Sequence, residues 1–148
     1  MIDVIQCKVQ LVAESVKQYE SVNCTNSFNT ARIFQTLMNG LPHEEVHILF
    51  VDAKKQLRGS YMASRGGQYS ASLGVGDIYR SVIAAGVGAF IIGHNHPSGD
   101  CTPSKEDIEL TKGIVKCGNI LNVYCLDHIV VSGKSFKSIR EINPSIWN

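Results

Sequence analysis

The stretch Val46-His47-Ile48-Leu49-Phe50-Val51 constrains the fold more than any other segment. Its apolar residues fall on both alternating faces, and a strand tolerates that only when each face is covered. A second apolar strand, Ala89-Phe90-Ile91-Ile92, lies between two helical patterns, one through Ile78, Val82, Ile83 and Val87, the other through Ile108, Leu110, Ile114 and Val115. Strands alternating with helices in this way give an α/β fold, with a sheet covered by helices. A length of 148 residues is one domain's worth and long enough for a self-sufficient core. Hydrophobic residues at 44% and charged residues at 18% exclude a disordered or fibrous chain.

The remaining elements follow from turn and cap signals. Asp52-Ala53-Lys54-Lys55-Gln56 is a polar turn, so Leu57 to Ala63 returns beside Val46 to Val51 as a hairpin. Asn29 or Thr30 can cap a helix through Ala31, Ile33, Phe34, Leu37 and Met38, which Gly40 ends with Pro42 just beyond. Asp77 begins the helix through Ile78, Asn122 to Val131 supplies a strand, and Ser135-Phe136-Lys137 a final short one. Val4 to Val12 has strand-like composition. Residues 1–26 therefore read as an N-terminal strand and loop extension, ahead of a domain over 27–148. A hairpin combined with strand–helix–strand units makes the sheet mixed.

Charge and cysteine usage narrow the function. A net charge of +1 gives counterion release little to work with, so DNA binding is doubtful. The positive residues near the C-terminus, Lys112, Lys116, Lys134, Lys137 and Arg140, read as a solvated face. No apolar run approaches the roughly 20 residues of a membrane span. Asp3 and Lys8 interrupt what would have to be the apolar stretch of a secretory signal. The five cysteines form no CxxC pair, which points to a reducing cytoplasm and mostly buried thiols. Val/Ile-rich strand edges would favour a homodimer.

One segment carries most of the chemistry: His94-Asn95-His96-Pro97-Ser98-Gly99-Asp100-Cys101-Thr102-Pro103-Ser104-Lys105-Glu106-Asp107. Histidines at i and i+2, leaving the end of a strand, point to the same side and can reach one metal ion. Asp107 returns on the following helix as a hard oxygen ligand. Two nitrogens and one oxygen suit zinc and leave a position for water. The helix start has two registers. In one, Ser104 and Asp107 form a capping box. In the other, Thr102 is the N-cap, Pro103 takes the first helical position, and Ser104 and Asp107 share a face inside the helix. The sequence does not choose between them.

The whole pattern, His-x-His-Pro, a loop, Ser-x-x-Asp and an upstream glutamate, resembles the JAMM signature of JAB/MPN metalloproteases and runs from Glu44 to Asp107. Within that superfamily, His94 to Gly99, Pro103-Ser104, Asp107 and Leu126-Asp127-His128-Ile129 are similar to the bacterial RadC family, over about Ser27 to Glu141. The resemblance implies a cytidine-deaminase-like αβα sandwich with zinc on His94, His96 and Asp107. It matches the family's glutamate to Glu44 and its serine to Ser104. It departs at Gly67-Gln68 and Gly76-Asp77, which touches no ligand, and it lacks room for the helix-hairpin-helix domain of longer members.

The implied activity is hydrolysis of a peptide or isopeptide bond in a peptide or protein substrate. Zinc acidifies a water and polarises the carbonyl, Glu44 shuttles the proton, and Ser104 donates a hydrogen bond to the oxyanion. The alternative is a DNA-repair or mobile-element accessory protein that uses the fold as a binding module. Strand parity groups Glu44 with Val46, Ile48 and Phe50, and Glu45 with His47, Leu49 and Val51. Parity alone does not say which glutamate meets the metal; the resemblance selects Glu44 and makes Glu45→Gln silent. His43 and His47 read as surface and packing residues. Cys101 is expected to be solvent-exposed and turned away from the metal. Cys125 and His128, an odd number apart on a strand, are expected on opposite faces. Asp127 is either an acceptor for a bound histidine or part of a strand-end turn.

Overall fold

A computed structural model describes residues 4–6, 8, 10, 12–15, 22–66 and 73–148. In chain order these form α1 (Ser27–Met38), β1 (Glu45–Val51), β2 (Leu57–Arg65), α2 (Val75–Ala85), β3 (Ala89–Asn95), α3 (Lys105–Leu121), β4 (Tyr124–Ser132), β5 (Ser135–Ser138), the helical turn α4 (Ile139–Ile142) and a 3₁₀ turn at Pro144–Trp147. The strands make one mixed sheet in the order β2-β1-β3-β4-β5. β1 is antiparallel to both β2 and β3, β3 is parallel to β4, and β4 is antiparallel to β5. A parallel pair needs a long crossover, and α3 is that crossover.

Both faces of β1 and β3 are covered, as their composition requires. On one face α1 packs Ala31, Ile33, Phe34 and Met38 against Leu49, Val51, Ile91, Ile129 and Val131. On the other, Ile78, Tyr79 and Val82 of α2 and Ile114 of α3 cover Ile48, Phe50, Phe90 and Ile92. The result is an αβα sandwich, the JAB/MPN arrangement. α1 approaches very closely at Gly93, where an added Cβ would lie 2.4 Å from the Phe34 ring.

Several boundaries differ from expectation. α1 starts earlier, because Asn26 is its N-cap and accepts the Asn29 N–H. α2 starts at Val75 rather than Asp77, whose carboxylate instead reaches back to the Gly74 N–H. The expected strand Val4 to Val12 lies partly outside the described residues, and those described in it take no regular structure. Gly67-Gln68 also lies outside them. The sheet edges are β2 and β5, which contain neither Val nor Ile, so edge composition gives no support for a dimer. Among the described residues no helix is long and apolar enough to cross a membrane.

Candidate metal centre

The centre lies where β3 and its parallel neighbour β4 end, beside the first turn of α3. In open α/β sheets this carboxyl end is where ligands collect. Alternation along β3 turns Phe90, Ile92 and His94 toward α2 and α3. His96 follows on the same side, and its own N–H is held by the Val131 carbonyl. α3 begins in the capping-box register: Ser104 Oγ accepts the Asp107 N–H at 3.0 Å, and Asp107 Oδ2 accepts the Ser104 N–H at 2.8 Å. Thr102 is not the N-cap. Capping does not use up Asp107, because the same Oδ2 lies 3.2 Å from His94 Nε2 and 3.4 Å from His96 Nε2.

Glu44, His94, His96 and Asp107 thus come together, each offering one donor atom within 4.8 Å of all the others. Their hydrogen bonds fix which imidazole nitrogens face inward. His96 Nδ1 lies 2.8 Å from the Asp100 carbonyl, which can only accept, so the ring proton sits there and Nε2 is bare. His94 Nε2 lies 3.0 Å from His96 Nε2. With both nitrogens bare, two imidazole lone pairs and a carboxylate oxygen at this separation repel one another unless a cation joins them. The donor set, nitrogen with hard oxygen, fits zinc.

Glu44 is exposed and stands one residue before β1. Its carbonyl accepts the Gly66 N–H at 2.6 Å. Asn95, between the two histidines but on the opposite face of β3, accepts the Glu45 N–H at 2.7 Å and donates to the His43 carbonyl at 2.9 Å. Glu45 is not a spare carboxylate, contrary to expectation. It is only 4% exposed, and its oxygens meet His43 and His47, at 2.9 and 2.8 Å, and Arg65 Nε at 2.9 Å. His43 and His47 are therefore partners of a buried charge rather than surface and packing residues. Burial pushes the Glu45 pKa up, but the bonds from His47, His43 and Arg65 prevail and bring it down to about 2.

Other expectations are corrected. Cys101 does point away from the cluster, but it is 8% exposed and packs with Val130 and Ile139. Cys125 and His128 face the same side, not opposite ones. Phe90 pairs with Cys125 and Ile92 with His128, so two residues of β3 oppose three of β4. That bulge inserts one extra residue and flips the alternation. Asp127 touches no histidine ring. Its carboxylate accepts the N–H groups of His128 and Arg140 and the Ser138 hydroxyl, which pins the bulge to α4.

Two residues beside the cluster were given no place there by the sequence. His128 Nε2 lies 2.8 Å from His94 Nδ1, and Thr111 Oγ1 lies 2.7 Å from His128 Nδ1. Both are buried, and burial keeps His128 neutral. Thr111 could have been noticed, because i,i+4 spacing puts it on the helix face of Asp107. His128 was hidden by the bulge.

A family model described as a RadC-like JAB domain matches residues 24–144. A UPF0758 protein of Carboxydothermus hydrogenoformans is 38% identical over 121 residues, covering 80% of this chain and 54% of the relative. One from Staphylococcus carnosus is 34% identical over 120 residues, 81% of this chain and 53% of the relative. One from Clostridium beijerinckii is 29% identical over 141 residues, 90% and 62%. The chain spans about half the length of the first two of these curated relatives.

Proposed function

The chain belongs to the RadC family of JAB-domain proteins, and from that premise we propose that it is a zinc-dependent hydrolase of peptide or isopeptide bonds. The observation that carries the reading is the convergence of Glu44, His94, His96 and Asp107 within 4.8 Å. Because the His96 ring proton is drawn off to the Asp100 carbonyl, one nitrogen already faces the cluster bare.

In this reading His94, His96 and Asp107 hold the zinc. Zinc, when bound, supplies Lewis acidity toward a substrate carbonyl and toward water. Glu44 is the general base: its exposed carboxylate takes the proton of the attacking water and delivers it to the leaving nitrogen. Backbone bonds on both sides of Glu44 fix its main chain beside the cluster, so the side chain starts from a set position. The Ser104 oxygen accepts from the Asp107 N–H, which leaves its hydroxyl proton to donate to the carbonyl oxygen as negative charge develops there.

The test pairs metal content with turnover. The chain, loaded with zinc and freed of excess, should retain one ion, and His96→Ala none. Cleavage of a library of peptides and isopeptide-linked peptides should require both the ion and Glu44. Equal metal in wild type and His96→Ala would overturn the ligand set, and cleavage unaffected by Glu44→Gln would overturn the assigned base.

A further inference from the structure

We infer that His128, itself oriented by Thr111, is a positioning residue that decides which nitrogen of His94 faces the cluster; the inference rests on the metal-hydrolase reading for its consequence, though not for its geometry. The argument follows protons one bond at a time. The Thr111 hydroxyl has a single proton, and its oxygen lies 2.6 Å from the Asp107 backbone carbonyl. A carbonyl only accepts, so that proton is committed. His128 Nδ1, 2.7 Å from the same hydroxyl oxygen, must then be the donor of that contact. A neutral imidazole has one ring proton, which leaves His128 Nε2 as an acceptor. His94 Nδ1, 2.8 Å away, therefore donates to it. His94 Nε2 is left bare and faces Asp107 Oδ2 at 3.2 Å.

The chain of bonds begins at the backbone carbonyl of Asp107 and ends at His94 Nδ1, whose ring turns its bare Nε2 toward the carboxylate of the same residue. Each link is enclosed: Thr111 is 0% exposed, and His94 and His128 are 1% exposed, so water does not compete for these bonds. Without His128, either nitrogen of His94 could carry the proton, and the form protonated at Nε2 presents no lone pair to a metal. The same relation, with an outer partner fixing the tautomer of a ligand imidazole, is worth 10–100-fold in metal affinity at other centres, as an order of magnitude. The β4 bulge is what brings His128 into the chain. Had the alternation from Cys125 continued, His128 would lie on the α1 face.

Two measurements test the inference. Long-range proton–nitrogen correlation on the metal-free, nitrogen-15-labelled chain in mildly alkaline solution should find the ring protons of His94 and His128 on Nδ1. A His94 proton on Nε2 would overturn the inference, whether or not the chain binds metal. Competition for Zn²⁺ with a chromophoric chelator should show Thr111→Val, which keeps the shape of the side chain, binding roughly 10–100-fold more weakly. Thr111→Ser, which keeps the hydroxyl, should recover wild-type affinity. Packing alone would favour valine over serine, so Val binding as well as or better than Ser would also overturn it. Should wild type bind no zinc at all, the hydrolase reading fails, and the tautomer spectrum still decides the positioning role.

Discussion

Asn95 holds Glu44 by the peptide groups on either side of it, accepting the N–H of the residue after and donating to the carbonyl of the residue before. Asn95 sits between His94 and His96, so the segment that supplies the proposed zinc ligands also fixes the proposed base. Replacing Asn95 with Ala leaves the buried Glu45 N–H without its acceptor, which should cost about 1–3 kcal/mol in chemical denaturation. Zinc content should stay at the wild-type level while turnover falls, because the imidazoles keep their own partners. An unchanged denaturation midpoint would show that the clamp contributes nothing.

The neighbouring glutamates should separate cleanly. Glu44→Gln should keep zinc and lose hydrolysis. Glu45→Gln should act on stability instead, and through pH. The Glu45 carboxyl has an ordinary value of 4.5 and a folded value of about 2. A lowered folded value means stabilisation that is present above pH 4.5 and lost as pH falls toward 2. Acid titration of stability should therefore be shallower in that window for Glu45→Gln than for wild type. Parallel curves would remove the buried carboxylate as a source of acid lability.

Ser104 combines a cap with the proposed oxyanion donor, and two substitutions pull the roles apart. Ser104→Ala should cost about 1 kcal/mol of stability, whereas Ser104→Gly should cost only a few tenths, since glycine is tolerated at an N-cap. Both lack the hydroxyl, so both should lose roughly 10²–10³ in turnover. Activity that tracks melting temperature across the pair would reduce Ser104 to a cap.

Cys101 should report on packing rather than on metal. Its thiol sits against Val130 and Ile139, so Cys101→Ser puts a hydroxyl among apolar side chains at about 1–3 kcal/mol. Zinc affinity should not change. Loss of metal at unchanged stability would place the thiol among the ligands.

The layered fold was legible in the sequence because it depends on strand alternation, which single residues reveal. Leu49 and Val51 face α1 while Ile48 and Phe50 face α2 and α3, as their positions along β1 dictate. The residues gathered at the centre were legible as a pattern, but their hydrogen bonds were not. Which register Ser104 caps depends on how the loop from His96 packs, and no local signal carries that. His128 was misread for a sharper reason. Strict alternation holds only while pairing is regular, and one extra residue in β4 reverses every side chain beyond it. Cys101 was misread because turning away from the metal was equated with facing solvent, whereas α4 and β4 close over it.

The alternation in β1 and β3 has a further consequence for how this chain meets dissolved salt. The Glu45 carboxylate is itself enclosed and paired with the Arg65 guanidinium, so a screening atmosphere has little access to it. Glu44 faces water on the other side of the strand, with the Asp107 carboxylate within 4.8 Å. Mobile ions can gather there over a Debye length of about 8 Å at physiological ionic strength. Two carboxylates joined by a single peptide bond thus occupy separate ionic atmospheres, and monovalent salt eases repulsion at one while leaving the other as it was.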